Sequence, residues 1–126
     1  MKGIRWNMEE YRAWQQSGAE PKPVKANKYH AKKTEVDGIV FDSKKEAARY
    51  STLKILQAAG KIDRLDRQVE FELFIHHTSV GFYRADFVYT EAGKLVVEDV
   101  KGKKTDLYQF KKKVFEVLYN VKIRET

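Results

Sequence analysis

The chain contains no cysteine. That excludes disulfides, thiolate zinc sites, iron–sulfur clusters and cysteine nucleophiles together, and it suits a reducing cytoplasm. Histidine is scarce: His30, His76 and His77 are the only three. The last two are adjacent, so on a strand they point to opposite faces, and a histidine-held metal is poorly supported. Long apolar runs are also missing. Nothing approaches the ~18 residues that span a bilayer, and no apolar stretch follows the N-terminus as in a signal peptide. Internal repeats and low-complexity segments are absent from the sequence.

What remains is a chain of 126 residues, one domain by size, with 42% hydrophobic and 13% aromatic residues, a composition that folds. Lys and Arg number 25 against 18 Asp and Glu, a net charge of +7. Such a surplus points to a polyanionic partner, nucleic acid first and an acidic membrane surface second.

Met8 to Gln16 has a helical pattern carrying Tyr11 and Trp14, with Trp6 just before it; Gly18, Pro21 and Pro23 end it. From Pro21 to Lys33 there is no acid, while Lys22, Lys25, Lys28, Lys32 and Lys33 are basic, which makes an arm or a plain linker. Thr34 to Phe41 reads as a hairpin turning at Asp37-Gly38. Ser43-Lys44-Lys45-Glu46 starts a helix that runs to Ala59 and stops at Gly60. Its two apolar stripes, Tyr50, Leu53, Leu56 and Ala48, Ile55, Ala59, predict packing on both sides. Strands follow at Gln68–Ile75, Val80–Thr90 and Lys94–Lys101, the last two joined by the short Glu91-Ala92-Gly93 turn and therefore antiparallel. Thr105 caps a helix with apolar positions Leu107, Phe110, Val114, Val117 and Leu118, which Asn120 ends; Val121–Arg124 is a last strand with a parallel partner. The order is hairpin, α, β, β, β, α, β: an α/β (α+β) fold with a mixed central sheet.

Asp86 interrupts the apolar strand Tyr83-Arg84-Ala85-Asp86-Phe87-Val88-Tyr89, where a carboxylate needs a reason. On the next strand Asp99 and Lys101 are two apart and share a face, while Glu98 points the other way with Val96 and Val100. If these strands are neighbours, Asp86 and Asp99 converge on one hard divalent cation with the Lys101 ammonium beside it. Such an ion polarises a phosphate and acidifies water, and the lysine orients that water. The bland alternative is a structural ion-pair cluster at a sheet end. Glu46 is open in the same way: as third residue after Ser43 it completes a capping box, or, sharing a face with Tyr50 and Leu53, it reaches the acids.

These residues resemble the PD-(D/E)XK nuclease superfamily, whose restriction-endonuclease-like core is αβββαβ with an acid on the second core strand, acid-x-Lys on the third and often a Glu on the first helix. Asp86, Asp99-Val100-Lys101 and Glu46 match those positions. The wider pattern is similar to a small phage and prophage family within it: Lys28-Tyr29, Asp37-Gly38, Phe41-Asp42-Ser43-Lys44-Lys45-Glu46-Ala47, Gln68-Val69, Asp86-Phe87-Val88-Tyr89 and Glu98-Asp99-Val100-Lys101-Gly102. Its better-understood relatives are Holliday junction resolvases and phage junction-cutting endonucleases. Ala85 stands where the superfamily's name has proline, and Asp99 where Glu is more frequent.

The resemblance implies a nuclease domain over 28–126 preceded by a helix and arm over 1–27. It implies Mg²⁺- or Mn²⁺-dependent DNA hydrolysis in a host-cell cytoplasm, selective for branched DNA, by a homodimer able to make paired cuts. Asp86, Asp99, the Val100 carbonyl and Glu46 hold metal; Lys101 acts on the water; Gln68, which opens the first core strand, is accessory or only ties a strand end. Arg84, Lys103, Lys104, Thr105, Lys111 and Lys112 are placed to meet phosphates, Thr105 through helix-start amides. Lys111 to Lys113 equally suit the wet face of a helix, and Arg84 an acid partner. The alternatives are a catalytically silent DNA-binding or scaffold protein on the same fold, and an RNA or nicking nuclease. The aromatic N-terminal helix supplies dimer contacts or packs on its own domain.

Overall fold

A computed structural model describes residues 5–17, 34–101 and 104–126. The basic stretch from Lys22 to Lys33 and Lys103 lie outside these. The elements are β1 (Arg5–Trp6), α1 (Met8–Gln16), β2 (Thr34–Val36), β3 (Ile39–Phe41), α2 (Lys44–Ala58), β4 (Asp63–Ile75), β5 (Thr78–Glu91), β6 (Lys94–Asp99), α3 (Asp106–Tyr119) and β7 (Ile123–Glu125).

The central sheet is mixed, in the order β1-β4-β5-β6-β7, with β4, β5 and β6 antiparallel and β1 and β7 parallel to their neighbours. The expected succession αβββαβ is present from α2 to β7. β2 and β3 form a separate ribbon closed by Asp37 and Gly38, both at positive φ. Asn120 ends α3 in left-handed backbone, and Thr105 caps its start, accepting from the Tyr108 N–H at 3.1 Å. Among the described residues no helix is long and apolar enough to cross a membrane.

Several boundaries differ from expectation. β4 begins at Asp63, so Gln68 lies mid-strand rather than at its opening. His76 and His77, both at positive φ, make the tight turn between β4 and β5 instead of lying on a strand. The sequence reading had no β1, whose two residues are too few to show a period.

Two cores lie on opposite sides of the sheet. One holds Tyr11, Val69, Phe71, Tyr83, Ala85, Val97 and Phe115, under α1 and α3. The other holds Phe41, Ala47, Tyr50, Leu53, Phe87 and Tyr89, under α2 and the ribbon. A strand should keep odd residues on one face. Here it does not: Val69 and Ala85 face α3, whereas Leu65 and Phe87 pack with the α2 core. The reversal coincides with Gln68, left-handed at φ 52° inside β4. Such backbone costs a non-glycine residue roughly 1–3 kcal/mol and collects at functional sites.

The helices correct two expectations. α2 packs through Ala47, Tyr50 and Leu53, with Leu56 partly buried against the same core; Ala48, Ile55 and Ala59 are exposed, so only one of its stripes is covered. α3 buries Tyr108 and Phe115, with Val114 and Tyr119 against the core, while Leu107, Phe110 and Val117 face outward and Leu118 is only partly covered. The ring of Phe115 meets Phe71 and Tyr83, each about one ring-width away at 5.2 and 5.1 Å, aromatic contacts that set which face of the helix turns inward. Trp6, Tyr11 and Trp14 cluster in edge-on and tilted contacts, and Tyr11 meets Phe71 edge-on at 5.5 Å, so the N-terminal helix packs on its own domain.

Candidate functional site

β5 and β6 pair from Glu91↔Lys94 to Phe87↔Glu98 and then separate. The next residue of β5 is Asp86, and the next of β6 is Asp99. At the point of divergence Asp86 Oδ2 accepts the Val100 N–H at 2.8 Å, doing for that amide what a strand carbonyl otherwise does. The carboxylate in the apolar strand thus has a local cause: it ends the ladder. Its other oxygen, Oδ1, accepts from the Gln68 amide at 3.3 Å, and the same amide donates to Glu46 Oε2 at 3.2 Å. Gln68 therefore bridges two acids rather than tying a strand end.

Glu46 resolves in the same direction. Ser43 caps α2 by accepting the Glu46 N–H at 3.1 Å, but the Glu46 carboxylate turns to Gln68 and to Arg67, whose Nη2 is 3.6 Å away. Burial first, then the Asp86 charge, pushes its pKa up to about 7, against the lowering influence of Arg67.

Asp99 is 1% exposed. Tyr83 donates to its Oδ2 at 2.7 Å, and Lys101 Nζ faces its Oδ1 at 3.2 Å without hydrogen-bond alignment, so that Oδ1 is buried and unsatisfied. Burial, then the neighbouring Asp86, holds its pKa well above the usual carboxylate range despite Tyr83 and Lys101. Lys101 itself lies 4.1 Å from the centre of the Tyr108 ring, whose hydroxyl donates to Glu125 at 2.8 Å. Its main chain is tied twice: its N–H donates to the Thr126 carbonyl at 3.2 Å, and its carbonyl accepts from Lys45 Nζ at 2.9 Å.

The structure brings Glu46, Gln68, Asp86, Asp99 and Lys101 together. It does not gather the basic residues in the same way. Arg84 pairs with Glu70 across the strands at 2.6 Å, Lys104 with Glu125 at 3.0 Å, and Lys112 with Glu116 at 3.7 Å. Lys111 lies over the Phe82 ring, 5.0 Å from its centre. Thr105 uses its hydroxyl for the cap. Sequence reasoning missed Lys45, Arg67, Tyr83 and Tyr108. Arg67 and Lys45 carried a signal, each a cation directly before a singled-out residue, Gln68 and Glu46; the two tyrosines meet the site through folding.

Do these residues suit a divalent cation? Among the described residues no three acidic or imidazole groups already stand as a metal cage. Gln68, the Val100 N–H and Tyr83 occupy carboxylate oxygens instead. Yet the donors are hard oxygens, their charges repel, and Asp99 Oδ1 is buried without a hydrogen bond. That set fits Mg²⁺ or Mn²⁺ and no soft metal.

Fold and site together define a mixed α/β protein with an acid–acid–lysine cluster where two central strands part. The chain belongs to the family described as "Protein of unknown function (DUF1064)", whose model matches residues 26–125 and so spans every residue of that cluster. No curated protein and no solved structure matches it.

Proposed function

We propose that this protein is a divalent-metal-dependent endonuclease of the PD-(D/E)XK type, acting on DNA and selective for branched forms. The observation that carries the reading is the meeting of Asp86 and buried, unsatisfied Asp99 at the strand divergence, with Lys101 Nζ 3.2 Å from Asp99. Tyr83 takes only Oδ2, and Oδ1 faces the Lys101 ammonium without an aligned hydrogen bond, which leaves it open to a cation. Asp86, Asp99, the Val100 carbonyl and Glu46 would hold Mg²⁺ or Mn²⁺, and the ion supplies charge neutralisation at the phosphate and a more acidic water. Lys101, steadied by Tyr108, orients the attacking water and faces the charge that develops on phosphorus-bound oxygens. Gln68 keeps Glu46 and Asp86 apart and aimed. Lys45, Lys103, Lys104, Lys111 and Lys112 meet backbone phosphates, which makes affinity fall with salt. Paired cuts on a branched substrate call for a homodimer.

A second reading, a silent DNA-binding protein on the same fold, is favoured by the hydrogen bonds that already occupy four carboxylate oxygens. One panel separates them: linear duplex, single strand, flap, nick and four-way junction, plus matched RNA, each with Mg²⁺, Mn²⁺ and EDTA. Metal-dependent symmetric cutting of the junction supports the nuclease. Every substrate uncut in prolonged digests supports the silent protein.

A further inference from the structure

Arg67 carries two buried donors that nothing accepts. Its side chain is 8% exposed, and its Nε and Nη1 lack any hydrogen-bond partner. The guanidinium lies 4.4 Å from the centre of the Phe41 ring, and Nη2 faces Glu46 at 3.6 Å, a contact too long to be a good hydrogen bond. Leaving a charged donor unmade in the interior costs more than about 1–3 kcal/mol, so an arginine kept in this state needs a reason beyond packing.

Its position supplies one. Arg67 precedes Gln68, whose amide bridges Glu46 and Asp86, so the cation borders the acid site directly. The Glu46 contact sets the guanidinium against the first turn of α2, a 15-residue helix whose N-terminal end favours anions. Phe41 holds the plane of the fork by one face, and Nε and Nη1 are buried beside it, so an anion meets them as the guanidinium turns outward from Glu46. A planar fork of N–H groups matches the oxygens of a phosphate, and it does so better than a lysine.

We propose that Arg67 is a phosphate anchor: its unused donors take a non-bridging oxygen of a nucleic-acid backbone phosphate beside the acid site. This rests on the nucleic-acid reading above and adds to it a residue and the group it holds. The weak Glu46 contact is what the anion replaces, and Glu46 is thereby released toward the acids.

The test is the arginine Nε–H region of the ¹H–¹⁵N spectrum of the full chain, titrated with a short DNA duplex in EDTA and again in Ca²⁺. Salt-dependent affinities are measured alongside for the wild type, Arg67→Gln and Arg67→Lys. The Arg67 Nε–H resonance moves downfield on binding. Arg67→Gln loses on the order of tenfold in affinity and about one unit of salt slope; Arg67→Lys recovers the slope but not the full affinity. If DNA binds and is cut while the resonance stays and Arg67→Gln matches the wild type, the anchor is wrong and the nuclease stands. If DNA moves the resonance but is never cut with Mg²⁺ or Mn²⁺, the nuclease is wrong and the anchor stands. No binding of DNA overturns both. Should Arg67→Gln fail to fold, the wild-type resonance decides alone.

Discussion

Glu98 and Asp99 are neighbours on β6, both buried, and they live in opposite electrostatic worlds. Glu98 faces α2. It receives Arg49 through two hydrogen bonds of 2.6 and 2.9 Å, Tyr89 at 2.6 Å and Thr126 at 3.1 Å. Burial alone raises its pKa, but Arg49, Tyr89 and Thr126 outweigh it and hold the carboxyl below the usual range. Asp99 faces the other way, has one aligned donor, and stands against a second carboxylate. One acid is settled by its own fold; the other is kept unsettled by it. Sites that bind cations are built in the second way, because satisfied oxygens have nothing to offer a ligand.

The comparison breaks most visibly in activity. Asp99→Asn, Asp86→Asn or Lys101→Ala lowers metal-dependent cleavage on the order of 1000-fold while DNA binding persists, as assayed on the substrates above. Full activity in Asp99→Asn would sink the site. Stability should follow the reverse order. Arg49→Ala strands the Glu98 charge and costs about 3 kcal/mol, the low end for a buried pair because Arg49 is 25% exposed. Asp99→Asn removes a repulsion and is neutral or stabilising in the same urea titration. Metal comes next: Mg²⁺ or Mn²⁺ at roughly 100 times its dissociation constant stabilises the wild type by about 2.7 kcal/mol and leaves Asp99→Asn unmoved, read from thermal melts against EDTA.

The smallest effect is in pH. Glu46, at about 7, and Asp99, also raised, keep protons that the unfolded chain has already lost. Their contribution to metal-free stability is therefore fullest below the unfolded carboxylate range and falls as pH rises toward 7. Glu98, shifted down, works the opposite way, and its contribution is lost on acidification. Glu46→Gln should flatten the fall by on the order of 1 kcal/mol while leaving the acid limb in place. An unchanged slope between pH 5 and about 7 in metal-free melts would remove Glu46 from the cluster.

The sequence carried these two acids unequally. Strand alternation is enough to send Glu98 and Asp99 to opposite faces and to place Lys101 beside Asp99, and the structure has both. Caps at Ser43 and Thr105 and the left-handed end at Asn120 were equally readable, since each depends on one local residue. The face of α3 was not. Two apolar stripes share that helix, and only the rings of Phe71 and Tyr83 across the gap choose between them. Nor was the reversal at Gln68, because nothing in Arg67-Gln68-Val69 marks left-handed backbone. Tyr83 and Tyr108 belong to the site through distances that pattern alone does not encode.

The strand bearing Asp99 gets its outer hydrogen bonds from the segment at β7: the Thr126 N–H donates to the Asp99 carbonyl, and the Lys101 N–H to the Thr126 carbonyl. β7 thereby makes β6 an inner strand of the sheet rather than its edge. Without that segment Asp99 and Lys101 would lie on an open edge, held from the β5 side alone by the Asp86 bond to the Val100 N–H and the Tyr83 bond to Asp99. The spacing of the cluster is thus underwritten by a three-residue strand that contributes no side chain to it.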